Sequence, residues 1–327
     1  MIYFECSLQK RNIIPDSLAK IDEWINSVAM RGILETFGAK VPTGLSTEGA
    51  VEWLLQFSDE WDYRKKQQTA YDIKTKESAR WLVRNNEITQ EQERAVFAGI
   101  AELGLIDVKI PLRKDYNYVI ALGGARLSCL LRPKYAKEVI DKYSLEPSAV
   151  VMLSGLRPIS DSEREATDKY ARGAKTEYDL ICAGAEQCFQ LTDYDEEYHK
   201  GDNINSSWAV RTYMETPPVI SISGPSTEPT KRRANSADTF KFFYEKFNVK
   251  KGAKLLFITS QIYVPYQQLE AIRTLSVPHG IMVETIGFPR EWTDHMQGMQ
   301  QASNYLQEIR SVIQAMNRFI EITKNED

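Results

Sequence analysis

The segment at 219–239, VISISGPSTEPTKRRANSADT, combines residue types that can bind an anion. A short β-branched run ends in a Gly-Pro turn, and Arg232 and Arg233 stand just before a polar helix start. Guanidinium groups bind phosphate or carboxylate through paired N–H donors, and the amides of a helix N-terminus add attraction for negative charge. We therefore predict that Arg232 and Arg233 bind an anionic group of a ligand.

The helix start in this segment carries polar side chains with two alternative roles. Asn235 with Asp238, or Ser236 with Thr239, can cap the helix by accepting hydrogen bonds from its first amides. Asn235, Asp238 and Thr239 could instead orient a ligand beside the arginines. The sequence leaves both roles open.

Two earlier segments repeat the combination of small residues and arginine after an apolar run. LGGARLSCLLRP (122–133) contains a glycine doublet, and LSGLRPISDSERE (153–165) contains Ser-Gly, an arginine and a helix cap at Ser160 or Asp161. Glycine lets the backbone turn sharply or approach a ligand closely. The alternative is a tight strand-to-helix turn with solvated arginines, and the doublet lacks the full GxGxxG dinucleotide fingerprint. The predicted ligand-binding residues of these segments are Gly123, Gly124, Arg126, Ser154, Gly155 and Arg157.

A fourth segment, ITSQIYVPYQQ (258–268), carries hydroxyl and amide groups after another apolar run. Pro265 suits the first turn of a helix, which leaves polar groups near that turn available to a ligand. Such a set is typical of recognition of a polar, uncharged group or a base edge. The predicted ligand-binding residues here are Thr259, Ser260, Gln261, Tyr263 and Gln267.

The histidines argue against several classes of mechanism. His199, His279 and His295 do not follow the ends of the predicted strands, which disfavours Ser-His-Asp and Cys-His catalysis and a histidine zinc site. Acid–base chemistry would then fall to carboxylates such as Glu163, Glu177 or Asp238, or to a tyrosine. The predicted catalytic residues are Asp238, Glu163 and Tyr263, and no metal ligands are predicted.

Short apolar runs that alternate with helical patterns must position these residues. The runs lie at 118–122, 149–153, 219–223, 255–259 and 281–287, with helical patterns at 133–143, 236–247 and 266–275. Strands that alternate with helices predict βαβ units. We therefore predict a Rossmann-like α/β domain over 116–327, with a doubly wound, mostly parallel sheet and a ligand crevice at the carboxyl ends of its strands.

The helical patterns of the first 115 residues predict an all-helical N-terminal module. Its helical patterns lie at 21–37, 47–61, 77–86 and 90–105, the last opened by a Thr89–Gln92 capping box. At the other end of the chain, an apolar helical face predicts a closing helix for the α/β domain over 304–322.

Composition excludes some functional classes. The 327 residues are 43% hydrophobic and 26% charged, with a net charge of -4, so no global basic field favours nucleic acid. No signal peptide or membrane-spanning run is visible, which predicts a cytoplasmic protein without membrane association.

The chain has four cysteines, no two of which form a CxxC motif, and they are expected to be free thiols. The acidic segment at 193–203 is expected to be an exposed loop.

The four strand-end motifs resemble those of the SanA/ElyC/YdcF-like domain family of largely unknown function. The motifs lie at 122–126, 153–157, 235–239 and 258–263. In that family the third motif typically reads Asn-Thr-x-Glu-Asn, where this chain has Asn-Ser-Ala-Asp-Thr, and the fourth typically reads Thr-Ser-x-Tyr-His-x-x-Arg. Tyr263 stands where the histidine would be expected, and Tyr266 or Gln267 stands where the arginine would be.

This resemblance implies a divergent or sister branch with a Rossmann-like fold and a nucleotide-like or other anionic ligand. S-adenosylmethionine is a further cofactor candidate, because its binding has been proposed for one branch of the family. The resemblance does not extend to the histidine and arginine of the fourth motif.

Three functional hypotheses follow. The first is an enzyme, transferase or hydrolase, that binds a nucleotide-like or other anionic small molecule and acts through positioning and electrostatics. The second is transfer from an aminoacylated tRNA, which a basic surface that includes Arg64, Lys65 and Lys66 would support. The third is a non-enzymatic ligand sensor whose helical module transmits occupancy. The sequence leaves open whether the chain forms a homo-oligomer.

Overall fold

The structure is a computed structural model that describes residues 1–4, 12–66, 71, 72, 77, 78, 85, 87–292 and 300–324. The helices are α1 (Ile13–Ile25), α2 (Val28–Thr36), α3 (Thr47–Phe57), α4 (Tyr63–Lys66), α5 (Gln90–Gly99), α6 (Ser128–Tyr143), α7 (Asp161–Thr167), α8 (Glu177–Phe189), α9 (Ser236–Lys246), α10 (Val264–Ala271), α11 (Val277–His279) and α12 (Ala302–Thr323). The strands are β1 (Tyr71–Asp72), β2 (Glu77–Ser78), β3 (Tyr118–Leu122), β4 (Ala149–Ser154), β5 (Tyr194–His199), β6 (Trp208–Tyr213), β7 (Val219–Ser223), β8 (Lys254–Ser260) and β9 (Met282–Phe288). Short 3-10 turns cover Ser58–Trp61 and Gln261–Tyr263, and a π-helical turn covers Ile272–Ser276.

Two units, each with its own dense internal contacts, make up the chain. The first contains the described residues of Met1–Val108, Gln261–Arg273 and Pro289–Asp327, and the second contains Lys109–Ser260 and Thr274–Phe288. Both units are therefore discontinuous in sequence. The division predicted from the sequence, into a helical module at 1–115 and an α/β domain at 116–327, stays a prediction.

The predicted closing helix is observed as α12, and it belongs to the first unit. There it packs against α3, α5 and α10 along an almost wholly buried helix. Arg310 of α12 is 5% exposed and pairs with Asp59 and Asp62 in the turns after α3. The helix is thus fixed by apolar packing and by a buried guanidinium with carboxylate partners.

The other helices of the first unit agree with those predicted from the sequence, except at a few positions. The pattern at 21–37 forms two helices, because Ser27 Oγ accepts a hydrogen bond from Met30 N at 3.0 Å and starts α2. The Thr89–Gln92 capping box is confirmed at the start of α5. The helix predicted over 77–86 is wrong at its beginning, where β2 pairs with β1, and most of its remainder lies outside the described residues.

The second unit is a mixed α/β structure around a seven-stranded sheet. The strand order is β5-β6-β7-β4-β3-β8-β9, in which β7, β4, β3, β8 and β9 are parallel to one another. These are the five strands predicted from the sequence. β6 is antiparallel to β7, and β5 is antiparallel to β6. The prediction of a loop at 193–203 is wrong over β5, although every residue of that edge strand is exposed.

Helices cover the strands on both faces of this sheet. Alternate residues of a strand face opposite sides, so Phe257 and Ser260 of β8 lie on different faces. Arg132 of α6 contacts the hydroxyl of Ser260, whereas Phe240 of α9 packs against Phe257 with ring centroids 4.7 Å apart. α6 therefore lies on one face and α9 on the other. α8 packs against α6, β4 and β7.

Three cysteines of the second unit, Cys129, Cys182 and Cys188, are free thiols as predicted, and Cys6 lies outside the described residues.

Within the described ranges, no helix is both long enough and apolar enough to cross a bilayer.

Candidate functional site

The order of the parallel strands defines where a ligand site can form. β3 is the first of these strands along the chain and lies between β4 and β8. The next parallel strands in sequence, β4 and β7, lie on one side of β3, and the last two, β8 and β9, lie on the other side. In open parallel sheets, ligands bind outside the carboxyl ends of the strands at such a reversal of strand order. Gly123 and Gly124 follow β3 at this point, and Ser260 ends β8.

The buried side chain of Arg132 fixes the ends of β3 and β8. It is 4% exposed, and its Nη1 donates to Leu122 O at 2.9 Å and also to Gly123 O. Its Nη2 donates to Ser260 Oγ at 3.3 Å. The sequence marks Arg132, with Arg126, as a cationic group of the segment at 122–133 that could bind a ligand. In the structure its guanidinium instead donates to the protein groups at the ends of β3 and β8.

The rest of the β3–α6 loop is held in the same way. Cys129 Sγ donates to Gly124 O at 3.0 Å, and Tyr170 OH donates to Arg126 O at 2.8 Å. Arg126 has a φ of 52° in the left-handed region, and its amide donates to Glu163 Oε1 at 3.2 Å. The carbonyl groups of Gly124 and Arg126 therefore accept hydrogen bonds from protein donors, and these bonds fix the conformation of the loop.

Several amide groups at the strand ends remain available as donors. In the described part of the chain, the N–H groups of Gly124 and Ala125 after β3, and of Gly155 and Leu156 after β4, have no hydrogen-bond acceptor. These four residues are half-buried. Successive backbone N–H groups with fixed carbonyls form concave sites that bind anions.

A buried ion-pair network lies beside these amides. Arg157 Nη1 and Nη2 donate to Glu163 at 2.8 and 2.9 Å, and Arg157 Nε donates to Glu177 Oε2 at 3.1 Å. The side chains of Arg157, Glu163 and Glu177 are 9%, 0% and 12% exposed. Burial alone would lower the pKa of Arg157, but the two glutamates outweigh it and raise that pKa above its ordinary value.

The predicted catalytic residue Glu163 is fully engaged in this network. Oε1 accepts from Arg157 and from the Arg126 amide, and Oε2 accepts from Arg157 and from the amide and hydroxyl of Ser160. Burial opposes ionisation of Glu163, but Arg157 and Ser160 hold its pKa below the ordinary value. A carboxylate stabilised in this way is a weak proton acceptor, so the arrangement fits a structural anchor better than a general base.

Arg232, predicted to bind an anion, is engaged by protein acceptors. It donates to both carboxylate oxygens of Asp238, with Nη2 to Oδ1 at 3.2 Å, and its Nη2 also donates to Thr227 Oγ1 at 3.0 Å. Its Nε donates to Glu228 Oε2 at 3.1 Å. Arg233 is exposed in the same loop. Ligand binding by this arginine pair stays a prediction.

Asp238 and Asn235 form the capping box that the sequence suggested. Asp238 Oδ2 accepts from Asn235 N at 2.9 Å, and Asn235 Oδ1 accepts from Asp238 N at 3.1 Å. Burial disfavours the charged form of Asp238, but Arg232 and Thr227 outweigh it and keep its pKa below the ordinary value. Thr239 Oγ1 donates to Ser236 O at 2.9 Å. The helix-capping role is therefore confirmed for Asn235 and Asp238.

The residues predicted after β8 are divided between the two units. Thr259 and Ser260 end the strand in the second unit, and Thr259 is fully buried. Gln261, Tyr263 and Gln267 belong to the first unit, where Gln261 Nε2 donates to Gly104 O at 3.0 Å. The site formed by the ends of β3 and β4 is thus made of residues of the second unit alone.

The histidines and acidic residues form no metal site in the described ranges. His199 stacks on Trp208 and His279 stacks on Tyr244, with ring centroids 5.5 and 3.9 Å apart. His295 lies outside the described residues. Among the residues the structure describes, no group of three or more histidine, cysteine, aspartate or glutamate side chains could hold a metal ion.

Comparison with known proteins assigns the chain to a family. A family model described as the Rv3785 N-terminal domain matches residues 10–104. The chain is 30% identical over 320 residues to the uncharacterized protein Rv3785 of Mycobacterium tuberculosis, across 92% of this chain and 88% of that protein. The uncharacterized protein Mb3814 of Mycobacterium bovis matches at the same 30% identity and coverage. No solved structure matches. The chain therefore belongs to the family of the mycobacterial protein Rv3785.

Proposed function

We propose that the protein binds an anionic small molecule at the carboxyl ends of β3 and β4. The observation that carries this proposal is the set of amide donors at Gly124, Ala125, Gly155 and Leu156, whose N–H groups meet no acceptor in the described ranges. A phosphate or carboxylate would accept these hydrogen bonds, and an uncharged apolar ligand would leave them unsatisfied.

The arginines around the amides balance the carboxylates that lie near them. Arg126, Arg132 and Arg157 stand against Glu163, Glu165 and Glu177, so no excess negative charge opposes an anion at the amide donors. Burial lowers the pKa of Arg126, and Glu163 and Glu165 offset part of that effect. An anion bound nearby would stabilise the charged guanidinium in its half-buried position.

We further propose that the second unit is a Rossmann-like, doubly wound domain of the kind found in SanA/ElyC/YdcF-like proteins. The order of its five parallel strands, the reversal of that order at β3, and the helices α6 and α9 on opposite faces support this assignment. A nucleotide phosphate or the carboxylate of S-adenosylmethionine would fit the amide donors. On this proposal the protein is an enzyme of group transfer, in which the strand ends position the ligand.

Replacement of Arg126 with glycine tests the anion site with little strain. Glycine adopts the left-handed φ of 52° that Arg126 has, so the loop conformation is retained while the guanidinium is removed. We expect the affinity for inorganic phosphate, measured by isothermal titration calorimetry, to fall about fivefold to tenfold. The matched control is Arg164→Gln, which removes a half-buried arginine of α7 that pairs with the exposed Asp161, and it should leave the affinity unchanged. No phosphate binding by the wild-type protein would refute the proposal, and equal affinities of Arg126→Gly and the wild type would remove the Arg126 guanidinium from the site.

A further inference from the structure

Small residues line the carboxyl ends of four neighbouring strands on the face that carries α6. They are Ser260 of β8, Gly123 after β3, Ser154 of β4 and Ser223 of β7, called here the small-residue row. Ser154 and Ser223 are direct partners in the sheet, and Gly123 N extends the β3–β4 pairing to Leu153 O at 2.5 Å. The Ser223 hydroxyl is buried and has no hydrogen-bond partner in the described part of the chain. The row therefore leaves an unsatisfied polar group at the strand ends.

The carboxylate of Glu177 lies against this row. A methyl group added to Gly123 would collide with Glu177 Oε1, and it would lie 2.8 Å from Ser154 Cβ. Glu177 is the first residue of α8, and its Oε2 is held by Arg157 Nε at 3.1 Å. Its other oxygen, Oε1, accepts no hydrogen bond from any described residue. This differs from Glu163, whose two oxygens are both engaged.

The position of Oε1 indicates which group of a ligand would approach it. A carboxylate oxygen can only accept hydrogen bonds, and Oε1 belongs to a side chain that is 12% exposed, so a donor from outside the protein can reach it. A ligand hydroxyl would satisfy it. An ammonium group fits less well, because Arg157 already pairs with the same carboxylate.

We propose that Glu177 Oε1 accepts a hydrogen bond from a hydroxyl group of the bound anion, so that the site selects hydroxylated phosphates, such as sugar phosphates, over the bare anion. This inference rests on the anion site proposed above and adds a specificity-determining residue to it. The amides after β3 and β4 bind the charged group, and Glu177 binds the hydroxyl beside the small-residue row.

Replacement of Glu177 with glutamine separates the contribution of the hydroxyl contact to ligand affinity from the contribution of the backbone amides. The amide oxygen of glutamine can still accept from Arg157 Nε, and its NH2 group takes the place of Oε1. This NH2 group can only donate, so a ligand hydroxyl that turns to accept from it makes a neutral hydrogen bond in place of the stronger bond to a carboxylate. We expect the wild-type protein to bind D-ribose 5-phosphate about tenfold or more tightly than inorganic phosphate, as measured by isothermal titration calorimetry. In Glu177→Gln this ratio should fall about fivefold, the difference between a charged and a neutral hydrogen bond, with phosphate affinity within about twofold of wild type.

A control variant tests whether the effect is specific to Glu177, and a second ligand tests whether the hydroxyl groups are required. Glu186→Gln makes the same change on α8 at a carboxylate that accepts from Arg211 at 2.9 Å and from Tyr213 at 2.7 Å, and it should leave both affinities unchanged. Ethyl phosphate, which lacks the hydroxyl groups, should bind the wild-type protein no more tightly than phosphate, and this measurement needs no variant.

The outcomes distinguish this inference from the proposed function. Equal affinities of the wild-type protein for ribose 5-phosphate and phosphate, or an equal loss of both affinities in Glu177→Gln, would overturn the role of Glu177 and leave the anion site intact. No binding of either compound would remove the anion site and the inference with it.

Discussion

Arg157 and Glu163 form a buried, bidentate ion pair across six positions of the chain, with N–O distances of 2.8 and 2.9 Å. Arg232 and Asp238 form a second bidentate pair at the same separation in the loop before α9, although the Arg232 side chain is 34% exposed. In both pairs the acid is the third helical residue of a capping box, at the start of α7 and of α9. One carboxylate thus caps a helix and also holds the arginine of the preceding loop.

Loss of Arg157 should strongly destabilise the fold. In Arg157→Met the carboxylate of Glu163, which is fully buried, would lose its main partner, and an uncompensated buried charge of this kind costs about 3 to 5 kcal/mol. Urea unfolding followed by circular dichroism measures the change in free energy. Arg164→Met on the same helix is the control and should change stability by less than about 1 kcal/mol, because its pair with Asp161 is exposed. A stable Arg157→Met protein that fails to bind phosphate would instead indicate that Arg157 acts mainly on the ligand.

The sequence predicted the parallel strands well because their physical signal is strong. β3, β4, β7, β8 and β9 are almost wholly buried, and strands buried on both faces read as continuous apolar runs. β5 reads YDEEYH and is exposed at every residue, so it carries no apolar run to find. β6 is not predicted from the sequence either, because its pairing with β7 depends on tertiary contacts and not on a local pattern.

The candidate site could be predicted only in part. The glycine doublet after β3 and the capping boxes at Asn235 and Ser160 follow local rules that a sequence reveals. The partners of Arg157 and Arg232 do not, because an arginine near a strand end can bind either a ligand or a carboxylate on the next helix. That choice depends on the loop conformation. Arg132 and Glu177 acquire their positions only when α6 and α8 pack over the strand ends.

Two buried glutamates should give the stability opposite dependences on pH. The pKa of Glu163 lies below its ordinary value of 4.5, so its stabilising contribution is present above that value and is lost as the pH falls through the lowered pKa. Burial raises the pKa of Glu284 above 4.5, and hydrogen bonds from Tyr116 and Leu112 offset part of this shift. Its contribution is therefore most favourable below 4.5 and is lost as the pH rises through the raised pKa.

Urea unfolding of Glu163→Gln and Glu284→Gln across the acidic range tests these directions. Relative to Glu163→Gln, the wild-type protein should lose stability as the pH falls from neutral. Relative to Glu284→Gln, it should gain stability over the same change. A glutamate that is solvated in the folded protein would instead have its ordinary pKa, and its difference in unfolding free energy would not change with pH.

Gly123 and Gly155, both predicted to approach a ligand, should differ sharply in their response to alanine. A methyl group on Gly123 would lie 2.9 Å from the backbone Cα of Ser154 and would collide with Glu177, so Gly123→Ala should destabilise by about 1 to 3 kcal/mol. At Gly155 the nearest atom to such a methyl group is Arg157 N at 4.0 Å, and the φ is not left-handed. Gly155→Ala should therefore leave stability within about 1 kcal/mol of wild type.

The Gly155 variant also tests how closely a ligand approaches the strand end. If the amides after β4 bind the anion directly, the added methyl group should weaken phosphate binding in a protein of normal stability, because the group occupies space beside the donors. Thermal unfolding measures the stability, and calorimetry with inorganic phosphate measures the affinity. Unchanged phosphate affinity in Gly155→Ala would restrict the anion to the β3–α6 loop, since only the donors of Gly124 and Ala125 would then remain in contact with it.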